Sequence, residues 1–290
     1  MSPKLSVIIP CYNSEATLEL TLNSVLNQNF EEWEAIIVND GSTDRTEEIA
    51  IKWTLKDQRF KYFAKKNEGL GKTRNFGIEK AQGFYILPLD SDNLVDENFV
   101  RRAIAVFEKD STIGVVHGYA EYFGEKEGLW KIDDFDLAKI LIDNYIDACA
   151  IFKKELWAKV GGYDQNMPYQ GHEDWEFWIS LSGEGTVFYN LHEVTFKYFV
   201  SKNSMIHSFT NAMFYLNRDY IVKKHSRLYY NEYMKITLAR CKEFNILNSK
   251  FFILSFKMHN AFDFFKKNYR KPTLIVNKIK RKLFVFDFFF

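Results

Sequence analysis

The chain has 290 residues, of which 47% are hydrophobic, 27% charged and 17% aromatic. That balance excludes intrinsic disorder, and the length suffices for one large α/β domain, or a domain with an extension, without disulfides or a structural metal. A net charge of +1 conceals a division: residues 1–200 carry 21 Lys+Arg against 33 Asp+Glu, and residues 201–290 carry 18 against 5. Leu5 to Pro10 reads as a buried strand, followed by Ser14 as the N-cap of a helix to about Gln28. Strands are then expected at Glu34–Val38, Arg59–Phe63, Phe84–Leu89 and Ile113–His117. Helices are expected over Thr43–Leu55, Gly71–Ala81 and Asp96–Lys109. Strands alternating with helices of this length imply an α/β fold with a mostly parallel sheet covered on both faces. Past Val200 the pattern turns helical, over Met205–Lys224, Tyr229–Asn245 and Ser249–Lys267, with Pro272 as a breaker. The domain reading is therefore residues 1–204, followed by a basic, aromatic-rich helical extension at 205–290.

In such sheets ligands bind beyond the carboxyl ends of the strands. Three loops leave that edge: Pro10-Cys11-Tyr12-Asn13, Asn39-Asp40-Gly41-Ser42-Thr43-Asp44 and Asp90-Ser91-Asp92-Asn93. Asp90 and Asp92 crowd like charge at the end of a buried strand, which a hard divalent cation such as Mg²⁺ or Mn²⁺ relieves. Taken alone, an Asp-x-Asp turn is as readily a capped, solvated turn. Asp40 beside Gly41 suits a contact to a nucleobase or ribose, and equally a strand-to-helix connection. Gly71-Lys72-Thr73 has the tail of a phosphate-binding loop, but Lys66 stands where its leading glycine belongs. What survives is a helix start bearing Lys72 and Arg74, suited to an anion such as a diphosphate or simply solvated. His172-Glu173-Asp174-Trp175-Glu176 lacks the second histidine of a zinc-protease motif. It sets acids at a helix start beside Trp175, Phe177, Trp178 and Leu181, a setting for a general base or for helix-dipole complementation.

Val7-Ile8-Ile9-Pro10-Cys11-Tyr12-Asn13, Val38-Asn39-Asp40-Gly41-Ser42-Thr43-Asp44, Arg74-Asn75-Phe76-Gly77, Leu89-Asp90-Ser91-Asp92 and His172-Glu173-Asp174-Trp175 together resemble the ordered motifs of family-two glycosyltransferases. The resemblance covers residues 4 to 200. It implies a GT-A fold, a nucleotide-sugar donor, a divalent metal (Mn²⁺ or Mg²⁺) and inversion at the anomeric carbon. By position, it implies that Pro10, Tyr12 and Asp40 hold the base, often uracil. Arg74 and Asp90 would contact the nucleoside or its phosphates, with Lys72 and Glu173 beside them. Asp92 would bind the metal, and Asp174 would take the proton from the acceptor hydroxyl. Where many relatives carry an Arg and a His after the last strand, Phe199 and Ser201 stand here, which leaves a second protein metal ligand unassigned. His207 lies nearby.

The implied reaction is hexosyl transfer to a saccharide or lipid-linked saccharide in surface or capsular polysaccharide synthesis. A sugar nucleotidyltransferase would also use paired acids and metal, but carries a Gly-rich basic loop where this chain has Cys11-Tyr12-Asn13-Ser14. A non-catalytic membrane-surface-binding relative is the other alternative, against which Asp40, Asp90, Asp92 and Asp174 stand together. Lys278, Lys280, Arg281 and Lys282 precede Leu283-Phe284-Val285-Phe286-Asp287-Phe288-Phe289-Phe290, which suits either an anionic membrane surface or a helical core with a solvated basic face. No nucleic-acid-binding motif accompanies that charge. No run approaches the ~20 apolar residues of a spanning helix, and the first apolar run lacks a cleavage pattern. The cytoplasm is the expected location, with peripheral attachment at the inner membrane face through the C-terminus. Cys11, Cys149 and Cys241 match neither a zinc nor a disulfide spacing and read as buried thiols.

Overall fold

The computed structural model of the chain describes residues 2–202 and 209–243. Strands β1 (Leu5–Cys11), β2 (Trp33–Asp40), β3 (Phe60–Lys65) and β4 (Tyr85–Pro88) alternate with helices α1 (Leu18–Leu26), α2 (Thr46–Lys56) and α3 (Leu70–Lys80). Next come β5 (Leu94–Val95), α4 (Phe99–Lys109), β6 (Ile113–Gly124), β7 (Gly128–Trp130), α5 (Leu137–Ile142), β8 (Ile151–Lys153) and α6 (Lys154–Val160). The described chain ends with α7 (Glu173–Gly183), β9 (Val187–Val200), α8 (Asn211–Lys224) and α9 (Ser226–Glu243). The strand order is β3-β2-β1-β4-β8-β6-β9-β5, with β7 on β6. Pairing is parallel through β3-β2-β1-β4 and between β6 and β9, and antiparallel on both sides of β8.

Alternation along the central strands divides the core. Val7, Ile9, Ala35, Ile37 and Leu87 face Leu18, Leu22, Trp53, Phe99 and Phe107, whereas Ile8, Ile36, Val38 and Ile86 face Ile78, Ile140, Trp175 and Trp178. Both faces being covered, these strands read as unbroken apolar runs. The expected elements through residue 117 all form. Ser14 is a local exception: α1 begins at Leu18, and the Ser14 hydroxyl instead lies 2.7 Å from that of Ser91. The side chain is drawn to the neighbouring strand-end loop, which leaves the start of the helix to a turn at Ser14–Thr17.

The region after residue 117 holds structure that the pattern did not announce. Strand β6 continues to Gly124 and pairs along its length with the fourteen-residue β9. The expected helix at 205–224 forms over Asn211–Lys224, and that at 229–245 over Ser226–Glu243. Ser249–Lys267, His207 and the basic, Phe-rich end at 278–290 lie outside the described residues. Cys11 and Cys149 are buried free thiols. Among the described residues no helix is long and apolar enough to cross a membrane.

A first compact unit runs through Tyr229 and so includes α8. That helix is fixed to α7 by charge. Lys224 Nζ reaches Glu176 at 2.8 Å and Asp164 at 2.5 Å, while His225 Nε2 lies 2.7 Å from the same Glu176 carboxylate. Asn217, fully buried, donates to the Tyr169 carbonyl and accepts the Tyr169 amide.

Helix α3 lies against β1 and β2 through Gly77, where a β-carbon would stand 2.6 Å from Ile8 Cγ2 and 3.2 Å from Val38 Cγ2. Gly77→Ala gains about 1 kcal/mol of helix propensity but overpacks the sheet face at about 1–3 kcal/mol. We expect a net loss of about 1 kcal/mol, read as a lowered urea midpoint at unchanged slope.

Candidate active site

The loops after β1, β2 and β4 open on one edge and are sewn together. The Asn13 amide donates to Ser42 Oγ at 3.0 Å, Asn13 Oδ1 accepts the Thr43 amide at 2.8 Å, and the Ser14–Ser91 hydroxyl pair adds the third loop. Pro10 is buried in β1, and Tyr12 stands on this edge 54% exposed. Asp40 is buried, and its carboxylate accepts from Lys65 Nζ at 2.8 Å and from the amides of Glu68 and Gly69 at 3.0 and 2.9 Å. It thus fixes the entry to α3, whose Gly69 has φ +92. Lys72 lies half-buried in the first turn of α3, 3.8 Å from Glu68.

Arg74 joins the next two motifs. Only 2% exposed, its guanidinium donates from Nη2 to Asp90 at 2.6 Å and from Nη1 to Glu173 at 2.8 Å, and Nε has no partner among the described residues. Burial alone would lower its proton affinity, but Asp90 and Glu173 more than offset that and raise it. The second Glu173 oxygen takes the Gly171 amide at 2.8 Å. Neighbouring Asn75 accepts from Trp157 Nε1 and the Tyr163 amide and donates to the Tyr163 carbonyl, each at 2.8 Å. One turn of α3 therefore grips both the strand-end loop and the approach to α7.

On α7, acids occupy the first turn, where the helix dipole favours them. Trp175, Phe177, Trp178 and Leu181 are buried as expected. The indoles of Trp175 and Trp178 donate to the carbonyls of Ile140 and Ile146 at 2.6 and 3.1 Å, drawing the 140–149 segment over the helix start. Asp174 Oδ2 accepts from Asn144 Nδ2 at 3.0 Å, and Oδ1 from the Trp175 amide at 2.8 Å. Burial, and then Glu173, push the Asp174 carboxyl up to about 7 against the pull of Arg74. Burial, and then Asp90, likewise raise Asp92 to about 7.

Two residues at the site were missed from sequence. Asp147 is raised to about 8 by burial, then by Asp90, with Asp174 adding to it. Tyr198 on β9 has its phenol pushed up by burial and then by Asp147, Asp90, Asp92 and Asp174. The only sequence signal for Asp147 was an acid just ahead of the apolar run Cys149–Phe152. Tyr198 had none. Among the described residues no three His, Cys, Asp or Glu side chains converge as a complete metal cage.

A mostly parallel α/β sheet with loops and crowded carboxylates beyond its strand ends is of GT-A-like architecture. The profile of glycosyl transferase family 2 matches residues 6–168, and the chain belongs to that family. It is 35% identical over 173 residues to the putative glycosyltransferase EpsH of Bacillus subtilis, covering 58% of this chain and 47% of that protein. It is also 35% identical over 182 residues to an uncharacterized glycosyltransferase of Rickettsia bellii, covering 62% of this chain and 26% of the relative. The chain thus spans less than half the length of these curated relatives. S. aureus TarS in complex with UDP-GlcNAc superposes with a TM-score of 0.63 at 22% identity over 73% of this chain and 64% of that one. The mannosyltransferase PcManGT of Pyrobaculum calidifontis, solved with GDP-Man and Mn²⁺, gives 0.55 at 19% identity over 70% and 59%.

Removing one partner of a buried ion pair leaves the others uncompensated, at about 3–5 kcal/mol. Arg74→Leu should cost about 3 kcal/mol in urea unfolding at pH 7, because Asp90 is partly solvated. Arg74→Lys should recover little of it, since a single ammonium does not span both carboxylates in the manner of a planar fork.

Proposed function

We propose that this chain is a metal-dependent inverting glycosyltransferase that moves a sugar from a nucleotide-sugar, UDP-linked, to an acceptor hydroxyl in polysaccharide synthesis. The observation that carries this reading is the Asp90–Arg74–Glu173 bridge, which ties the loop carrying Asp90 and Asp92 to the start of α7, where Asp174 follows Glu173. Family membership and a fold shared with TarS, solved with UDP-GlcNAc, support the donor class.

In this reading Pro10, Tyr12 and Asp40 flank the base, with Asp40 acting chiefly by fixing the loop that lines it. Lys72 faces the diphosphate. Arg74 and Glu173 bear on the donor through Asp90, which they hold in place. Asp92 is the residue to hold Mn²⁺ or Mg²⁺. A carboxyl raised by burial beside a second acid is one that a cation relieves, and these ions commonly take one or two protein carboxylates with substrate phosphates supplying further oxygens. Such an ion stabilises the departing diphosphate. Asp174, oriented by Asn144, takes the proton of the acceptor hydroxyl as its oxygen attacks the anomeric carbon opposite the leaving group. A carboxyl near pH 7 is matched to that transfer.

Residues 1–204 form the donor-binding and catalytic domain, and the 205–290 extension contributes α8 as a brace on α7. Its basic, aromatic end would bring the enzyme to an anionic membrane surface bearing a lipid-linked acceptor, and a nucleic-acid partner plays no part.

Calorimetric titration with UDP, with and without Mn²⁺ and with GDP and ADP as controls, tests the reading: metal-dependent UDP binding is expected, and a folded protein that binds no nucleotide would end it. Asp92→Ala should weaken that metal-dependent binding. Asp174→Asn should keep it while turnover falls about 10²–10⁴-fold. Because Asp174 acts deprotonated, the rate should rise about tenfold per unit below pH 7 and level off above it.

A further inference from the structure

A cleft of about 380 Å³ lies between the segment that follows β7 and the one that follows α5. Among the described residues its walls come only from positions 131–145, and none from the loops after β1, β2 and β4. It is therefore separate from the edge that would take the nucleotide. Asn144 joins the two, because it lines the cleft and its Nδ2 donates to Asp174 Oδ2 at 3.0 Å. The cleft thus begins one side chain away from the base. Its walls are held from outside. Asn190 on β9 donates to the Ile132 carbonyl at 2.8 Å, Trp175 on α7 to that of Ile140 at 2.6 Å, and Arg218 on α8 to that of Ile142. Within the segment, Asp136 caps the Lys139 amide at 3.1 Å. A cleft braced in this way is formed before its ligand arrives, which lowers the ordering cost of binding.

The lining has an apolar and a polar part. Ile142 is 62% exposed, and Tyr145 commits its hydroxyl to the Asp136 amide at 2.7 Å, so what it offers a ligand is its ring. With them stand two cations, Lys131 and Lys139, and two anions, Asp133 and Asp143, of which Lys139 and Asp133 pair at 2.6 Å. A sugar ring has the complementary surface: C–H faces that lie against aromatic and aliphatic groups, and rim hydroxyls that both donate and accept. A diphosphate would call for an excess of cations, and an acyl chain for a lining without charges. We infer that this cleft is an acceptor subsite holding a neutral sugar unit next to the one whose hydroxyl Asp174 deprotonates. The reacting unit has to lie within hydrogen-bond reach of Asp174. Asn144 separates that position from the cleft, so the cleft takes the following unit, and the acceptor is at least a disaccharide. The inference rests on the glycosyltransferase reading above.

The test is saturation-transfer NMR titration in the presence of UDP and Mn²⁺. The probes are cellobiose, gentiobiose and chitobiose against glucose and GlcNAc, with an unsulfated hyaluronan disaccharide as the acidic arm. At least one neutral disaccharide should bind about tenfold tighter than its own monosaccharide. Ile142→Glu and Tyr145→Leu should weaken that disaccharide about fivefold or more, while UDP affinity stays within about twofold and thermal melts report folding. Ile142 is exposed, so its substitution reports even where loss of the Tyr145 hydroxyl unsettles the segment. Absence of disaccharide binding, equal affinity for mono- and disaccharide, or unchanged binding in folded Ile142→Glu protein would each overturn the inference. Tighter binding of the acidic disaccharide would exclude the neutral sugar. UDP binding in the same samples upholds the donor reading through any of those results. Failure of the unaltered protein to bind UDP would overturn both.

Discussion

A guanidinium removed from water has to be neutralised where it lies, and the placement of Arg74 imposes that demand on the rest of the molecule. Its two terminal nitrogens take a carboxylate from the end of β4 and one from the start of α7, elements that meet nowhere else in sequence. Everything around α3 serves this grip. Gly77 lets the helix settle on the sheet, and Gly71 lets the Asp164 carbonyl and Glu173 come within 3.3 and 3.6 Å of where a β-carbon would stand. Gln170, from the loop before α7, caps the Leu70 amide at 2.9 Å. Strand end and helix start are thereby held as one rigid frame, which is what positioning of reacting groups requires.

Two groups of carboxyls meeting at the first turn of α7 show how the same residue type takes opposite character from its surroundings. Glu176 and Asp164 are desolvated, but Lys224, His225, Ser180 and Tyr220 meet their oxygens, and both carboxyls fall below the ordinary carboxylate range. Asp92, Asp147 and Asp174 are desolvated among other acids, with Arg74 already committed to Asp90 and Glu173, and all three rise. The first group stabilises the fold at neutral pH. The second costs stability in the free protein, and acids so crowded and desolvated cluster at functional sites.

Local pattern carried the first half of the sheet, because β1, β2 and β4 are buried on both faces and their loops carry turn-forming acids and glycines. It carried the aromatic face of α7 for the same reason. It did not carry the inserted β8, three residues long, or the β6–β9 pairing, where His117, Asn190 and Thr195 interrupt the apolar run and the contacts join residues over seventy positions apart. Asp147 and Tyr198 depend on those pairings and went unseen. Arg74 was legible as a charged residue at a helix start, but its burial was not: a lone arginine in a sequence looks solvated, and only the fold brings Asp90 and Glu173 to it.

The topology also sets an order of assembly. Strands β3-β2-β1-β4 come from the first 88 residues and pair only with one another until β8 arrives. A growing chain can therefore lay down this half of its sheet and the Arg74–Asp90 pair before Glu173, 99 residues past Arg74, has been made. At ribosomal speeds of about 5–20 residues per second, that interval lasts on the order of 5–20 s. Throughout it the guanidinium has one partner where the finished protein gives it two. The emerging chain thus holds the β4 half of the Arg74 bridge before the α7 half, and the two are joined only once the start of α7 has been made.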